Sequence, residues 1–199
     1  TKQERKRQEL DHNNATFEVL AREWLETKVN TWVPDTMTRN KGALEKHIFP
    51  IFGKRLYTSI KPIEWMNHLK GIQQKQGIYE QVSRVRAMCR DIYDYAKVTG
   101  RIDYNPLEGI QKYLQQGKKE NMAHVTEAEL PTLIRAINNY PTMDVRMGLQ
   151  LLAMLFCRPT ELRGAKWTEF DLEQGLWNIP EERMKKRREH VVPLPKQAI

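Results

Sequence analysis

The chain has 199 residues and 40% apolar content, enough to fold as one ordinary domain or two small ones, which excludes a disordered tail. A formal charge of +8 favours a polyanionic partner, nucleic acid first, because clustered Lys and Arg release counterions from a phosphate backbone; a basic but uninvolved surface is the competing reading. Two cysteines, Cys89 and Cys157, lie in apolar runs and read as small core residues rather than a disulfide or metal pair, and no apolar stretch reaches the roughly 18 residues that span a bilayer.

Residues 1–15 are expected to form a charged N-terminal linker. With no initiator Met, they read as the interior of a longer protein. From Thr16, a natural cap, Phe17, Leu20, Ala21, Trp24 and Leu25 recur at helical spacing and predict a first helix. A second is expected from about Asp35 to Ile48, stopped by Pro50 and Gly53, and a third from Pro62 with Ile63, Met66 and Leu69 turned inward. The fourth carries Val82, Val85, Met88, Cys89, Ile92 and Ala96 on one side, with Gly100 at its stop. Together, residues 16–114 read as one helical domain. Residues 115–124 are polar and aperiodic and read as a linker. In the second domain, 125–199, Thr126 and Glu129 have the form of a capping box ahead of Leu130, Leu133, Ile134 and Ile137. Met147 to Cys157 is the most apolar stretch and is expected to be a buried helix that leads to Arg158-Pro159. Leu176 to Pro180 and His190 to Leu194 read as a hairpin joined by the basic segment Met184 to Arg188, with a third strand near Thr168 to Leu172. The fold class expected is therefore mainly α with a small β-sheet: a helical bundle, then an incomplete α+β unit ending in a β-hairpin.

Two residues stand out chemically. Arg158 follows an apolar helix and precedes a proline suited to the first turn of the next, so its guanidinium and a helix N-terminus could hold one phosphate together. The alternative is an arginine that only pairs with Glu161. Lys185 stands in the basic turn of the hairpin, where it could reach into a DNA groove and donate a proton to a leaving oxygen. Lys185, Lys186, Arg187 and Arg188 have a plainer explanation as charges that keep a sheet edge soluble.

The run Arg158-Pro159-Thr160-Glu161-Leu162-Arg163-Gly164-Ala165-Lys166-Trp167, then Leu176-Trp177-Asn178-Ile179-Pro180, then Arg183-Met184-Lys185 and His190-Val191-Val192-Pro193-Leu194, resembles the opening of a tyrosine-recombinase catalytic domain. The likeness is strongest to integrases of phages and genomic islands, whose upstream domain has analogues of His47-Ile48-Phe49-Pro50 with Gly53, and of Tyr95-Ala96 through Gly100 to Asn105-Pro106. The resemblance implies that Arg158 holds the scissile phosphate, that Lys185 assists the leaving 5′-hydroxyl and that Glu161 buttresses the arginine. It further implies site-specific recombination through a 3′-phosphotyrosyl intermediate, without metal or other cofactor. The expected setting is the nucleoid of a bacterial cytoplasm. Where relatives often have Thr-Gly, this chain has Leu155-Phe156. The family's His-x-x-Arg segment and nucleophilic tyrosine follow the hairpin, whereas every tyrosine here precedes Arg158, so this chain is expected to bind DNA without cutting it. His190 is expected to help place the hairpin rather than act as an acid or base.

Double-stranded DNA contacts are expected from Arg39, Lys41, Lys46, Arg84, Arg86 and Arg90, basic positions on the second and fourth helices. The intact protein is expected to act as a homotetramer on paired attachment sites and the present chain to be a monomer. A non-catalytic helical DNA-binding regulator is the alternative, though it leaves Arg158 and Lys185 without a joint role. An RNA-binding protein is a third reading, weakened by the lack of the aromatic and glycine signature of the common single-strand modules.

Overall fold

The computed structural model of the chain describes residues 15–117, 122–184 and 186–199. Two compact units divide it, residues 1–120 and 121–199.

In the first unit, α1 (Phe17–Glu26) buries all five of its helically spaced apolar residues. Thr16 stands at the N-cap position in extended backbone and bridges to Leu56. α2 (Pro34–His47) starts with a proline whose missing N–H costs nothing in a first turn. The stop expected at Pro50 and Gly53 does not take that form. The helix ends at His47, and Phe49–Gly53 continues as a π-helical turn that contains the proline. Pro50 is tolerated there because it lies in the first turn, where its N–H has no partner to lose. Gly53 suits a close approach, since a Cβ there would lie 3.1 Å from the Glu18 carboxylate on α1 and 3.2 Å from the Phe49 Cβ.

α3 (Pro62–Gln76) buries Trp65, Leu69, Ile72 and Gln73. This corrects the expected inward face: Leu69 is buried, Met66 only packs against the core, and Ile63 is half exposed. Trp65 takes the core position because an indole buries far more apolar area than an isoleucine. It packs on Phe17, Phe52 and Tyr93, with ring centroids 5.2, 4.3 and 5.9 Å away. α4 (Tyr79–Val98) buries the whole anticipated face and adds Tyr93. Its end is closed by Gly100 in the left-handed region, φ 72°, with the Arg101 N–H donating to the Ala96 carbonyl at 2.9 Å. Asn105 is buried and fully used: its amide donates to the Arg90 carbonyl and to Asp94, and its oxygen accepts from the Leu107 N–H. The Asn-Pro punctuation thus pins the exit segment to α4. Gln73 exchanges two hydrogen bonds with the backbone of Gln115, so that residue is held on this unit.

In the second unit, the Thr126 N–H and hydroxyl donate to Glu129 at 2.9 and 2.7 Å and close the turn before α5 (Leu130–Asn138). α6 (Met143–Leu155) and the short α7 (Pro159–Arg163) follow. The strands β1 (Phe170–Asp171), β2 (Leu176–Ile179) and β3 (His190–Pro193) form an antiparallel sheet in that order, with Phe170 opposite Trp177 and Trp177 opposite Val192. The hairpin and its third strand are as expected. The buried helix is not: only Leu155 of α6 is buried, and Val145 and Met147 are exposed. The small sheet cluster of Leu155, Trp177, Ile179 and Val192 packs on one side of α6 and α5 on another, where the Gln150 amide donates to Asn138 at 2.8 Å, and together they leave most of the helix only half-buried. Cys157 falls in the turn after α6 rather than within a helix. Among the described residues no helix is long and apolar enough to cross a membrane.

Candidate functional site

The Arg158 turn is built from both sides. α6 ends on Phe156, which adopts a left-handed backbone, φ 51° and ψ 24°, with its ring 92% exposed. Arg158 then returns to extended backbone as the residue before α7, and Pro159 fills the first position of that helix. Three residues on, the buried carboxylate of Glu161 accepts from the Arg158 N–H at 2.9 Å and from its Nη1 at 2.5 Å. Burial pushes the Glu161 carboxyl up, but these hydrogen bonds and the charges of Arg158 and His190 outweigh it, and the net shift is downward. Glu161 therefore stays ionised. The ion pair and outward presentation coexist, because the Arg158 side chain is still 60% exposed. With five residues, α7 has too little dipole to bind an anion, and the N–H at its head is already taken by Glu161. The guanidinium fork is the feature that faces outward.

His190 opens β3 opposite Ile179 and is exposed. Lys185 lies outside the described residues. Its neighbour Met184 packs on the sheet cluster, and Lys186, Arg187 and Arg188 are exposed.

A second group was missed by the reading of the sequence. Glu169 is buried behind the sheet; it accepts from Trp177 Nε1 at 3.0 Å and from Arg183, whose other terminal nitrogen donates to the Glu161 carbonyl. The available signal was an acid inside the aromatic run Trp167-Thr168-Glu169-Phe170, where an unpaired carboxylate would be costly.

In the first unit, Arg39, Lys46 and Arg84 line one cleft of about 730 Å³ between α2 and α4, together with Gln81 and Glu80. Lys41 is exposed on α2, 4.0 Å from Glu45. Arg90 is engaged by Asp91 at 2.7 Å and Asp94 at 3.7 Å. Arg86 is a correction to the expected outward set. It is only 8% exposed, donates to Gln111 at 3.3 Å, and burial lowers its pKa. Its stem belongs to the apolar side of α4, between Val82 and Cys89.

A helical bundle with a cationic cleft, followed by a unit in which a braced arginine turn packs on a three-stranded sheet, is the architecture of the integrase-type recombinases. Residues 17–113 match the phage integrase central domain and residues 123–199 the phage integrase family, and the chain belongs to that family. Prophage integrase IntZ of Escherichia coli (strain K12) is 30% identical over 200 residues, an alignment that covers 99% of this chain and 49% of the relative. The chain thus spans about half the length of the curated relatives it matches. Among solved structures, a lambda integrase dimer bound to a COC′ core site aligns with a TM-score of 0.74 at 15% identity, covering 94% of this chain and 51% of that one. A lambda integrase tetramer bound to a Holliday junction aligns with a TM-score of 0.74 at 16% identity, covering 91% and 51%. At such identities the likeness is one of fold. Among the described residues no cluster of three or more His, Cys, Asp or Glu is placed to hold a metal ion.

Proposed function

We propose that this chain is the DNA-gripping and phosphate-holding front part of a site-specific recombinase that integrates or excises a phage or mobile island. The observation that carries the reading is the Arg158 turn in a chain of this family: a half-exposed guanidinium braced at its backbone and one nitrogen by a buried carboxylate. In the parent protein a tyrosine attacks a DNA phosphate, giving a 3′-phosphotyrosyl link and a free 5′-hydroxyl, and the hydroxyl of a partner duplex reverses the step. Negative charge grows on the non-bridging oxygens as the phosphorus becomes five-coordinate. Arg158, already oriented by Glu161, stabilises that charge more than the ground state, which is where a preorganised donor accelerates reaction. Lys185 supplies the proton to the leaving 5′-oxygen, and His190 supports the hairpin that carries it. The helical domain, residues 16–114, grips duplex DNA through the α2–α4 cleft, with Arg39, Lys46 and Arg84 as its cations and Lys41 and Arg90 at the margins. The parent works as a tetramer on paired sites at the bacterial nucleoid, and residues 115–124 join the two domains.

The test uses the parent protein on a nicked suicide duplex carrying its own attachment core. Arg158→Ala should cut covalent adduct formation by a hundredfold or more, since losing one preorganised donor costs on the order of 3 kcal/mol. Lys185→Ala should be impaired on ordinary DNA and restored by a 5′-bridging sulfur, whose departure needs no proton; Arg158→Ala should not be restored. If both variants respond alike to sulfur, the division of labour is wrong. If Arg158→Ala cleaves normally, the reading itself fails.

A further inference from the structure

We infer that Arg183 is a positioning residue for Arg158, acting through Glu161 from the opposite end of α7. The inference rests on the proposed phosphate role of Arg158. A five-residue helix cannot hold its own direction, because so short a segment forms too few internal hydrogen bonds to offset its ordering entropy. α7 is instead fixed at two points. At its start, the Glu161 carboxylate binds the Arg158 N–H and guanidinium. On its far side, Arg183 donates to the Glu161 carbonyl while its other terminal nitrogen pairs with Glu169. Glu169 is anchored in turn by the indole N–H of Trp177, a fully buried residue of the central strand. One unbroken set of polar contacts therefore runs from the sheet core to the phosphate-facing arginine.

Three features single out an arginine for this place. The two acceptors lie on different segments, and only a planar fork with several donors spans both, whereas a lysine ammonium is a compact point charge. The second carboxylate oxygen of Glu169 is buried with no partner among the described residues, so Arg183 is the cation that keeps this acid tolerable. Finally, Gly164 at the end of α7 makes room for the guanidinium: a Cβ there would stand 3.2 Å from the nitrogen that reaches Glu161. Substrate-positioning errors of about 1 Å can cost on the order of a hundredfold in rate, so a tilt of α7 is enough to matter.

Two variants probe the brace without removing it outright. Arg183→Lys keeps the charge beside Glu169 but not the bridge; Gly164→Ala keeps the arginine and crowds it. In the 199-residue chain, amide hydrogen exchange should quicken about tenfold at Arg158 in both variants, while the strand amides of Trp177 and Val192 keep their protection. In the parent protein at saturating attachment duplex, the covalent cleavage rate should fall by tenfold or more with DNA affinity changed less than twofold. Protection lost evenly across the sheet would reduce Arg183 to a structural support and overturn the inference, as would unchanged exchange at Arg158 in both variants. Faster exchange at Arg158 with undiminished cleavage also overturns it, provided Arg158→Ala still abolishes cleavage. If Arg158→Ala cleaves normally as well, the fault lies in the phosphate role and not in the brace.

Discussion

Phe156 occupies a backbone region that side chains with a Cβ enter at a cost of roughly 1–2 kcal/mol, and its exposed ring makes little contact that could offset this. Phe156→Gly should therefore raise the stability of the chain by about 1 kcal/mol in thermal unfolding, part of the relief being lost to the freer unfolded glycine. An unchanged or lower Tm would mean that the left-handed turn at Phe156 carries no strain for a glycine to relieve. Arg86 gives the complementary case. Its Nε is buried without a partner among the described residues, so Arg86→Met, close in volume, should leave stability within about 1 kcal/mol. Duplex binding should also be unaltered. Arg39→Ala with Arg84→Ala, by contrast, should weaken binding to a duplex oligonucleotide and shallow its salt dependence by nearly two counterions in a titration of affinity against salt. Spacing along α4 was enough to separate Arg84 from Arg86: two residues of a helix point to nearly opposite faces, and Arg86 falls on the stripe of Val82 and Cys89 whereas Arg84 does not.

At the level of elements, α1 is tied to the segment after α4 by Glu23, which accepts from both guanidinium nitrogens of Arg101 at 2.7 Å and from the Tyr95 hydroxyl at 2.8 Å. The hydrogen bonds from Arg101 and then Tyr95 hold the Glu23 carboxyl down to about 2. A depressed folded pKa stabilises the protein above the ordinary carboxylate value, and that contribution is lost as pH falls from about 4.5 toward 2. The pair is more than one-third exposed, so solvent screening limits the effect to about 1 kcal/mol. Glu23→Gln should thus be less stable than the parent sequence at pH 7 and approach it near pH 2 in urea titrations. A constant difference across that range would show that Glu23 acts by shape and not by charge. The helices α1 and α4 were legible because a single apolar face repeats over several turns. The π-turn at Phe49–Gly53 was not, since a proline and a glycine after a helix announce a stop whether or not the chain goes on coiling.

For the whole molecule, the charge of +8 and the cleft cations predict duplex binding that weakens steeply with salt. All seven tyrosines precede Arg158, so incubation with a nicked suicide duplex should leave this chain without a covalent adduct. An adduct mapped to any of its tyrosines would show that the order of the motifs has been misread. Sedimentation of the chain alone should report a monomer, and a concentration-dependent dimer would instead point to self-association through the uncovered apolar surface of α5 and α6, where Leu133, Ile134 and Met147 are exposed.

The sequence by itself determined the helices of the bundle and the antiparallel hairpin with its third strand, and it offered the pairing of Arg158 with Glu161 as one of two readings. Each rests on residues close together in the chain, where periodicity, turn chemistry and a three-residue spacing leave few alternatives. Tertiary structure decided the rest. Trp65 rather than Ile63 turns inward because Phe17, Phe52 and Tyr93 arrive from three other elements to enclose it. α6, the most apolar run, stays only half-buried because burial depends on what packs over a helix and not on how apolar it is. Arg183 and Glu169 meet across 14 residues, and Arg183 reaches Glu161 across 22; no local pattern records such contacts, because they exist only once the sheet and α7 have packed.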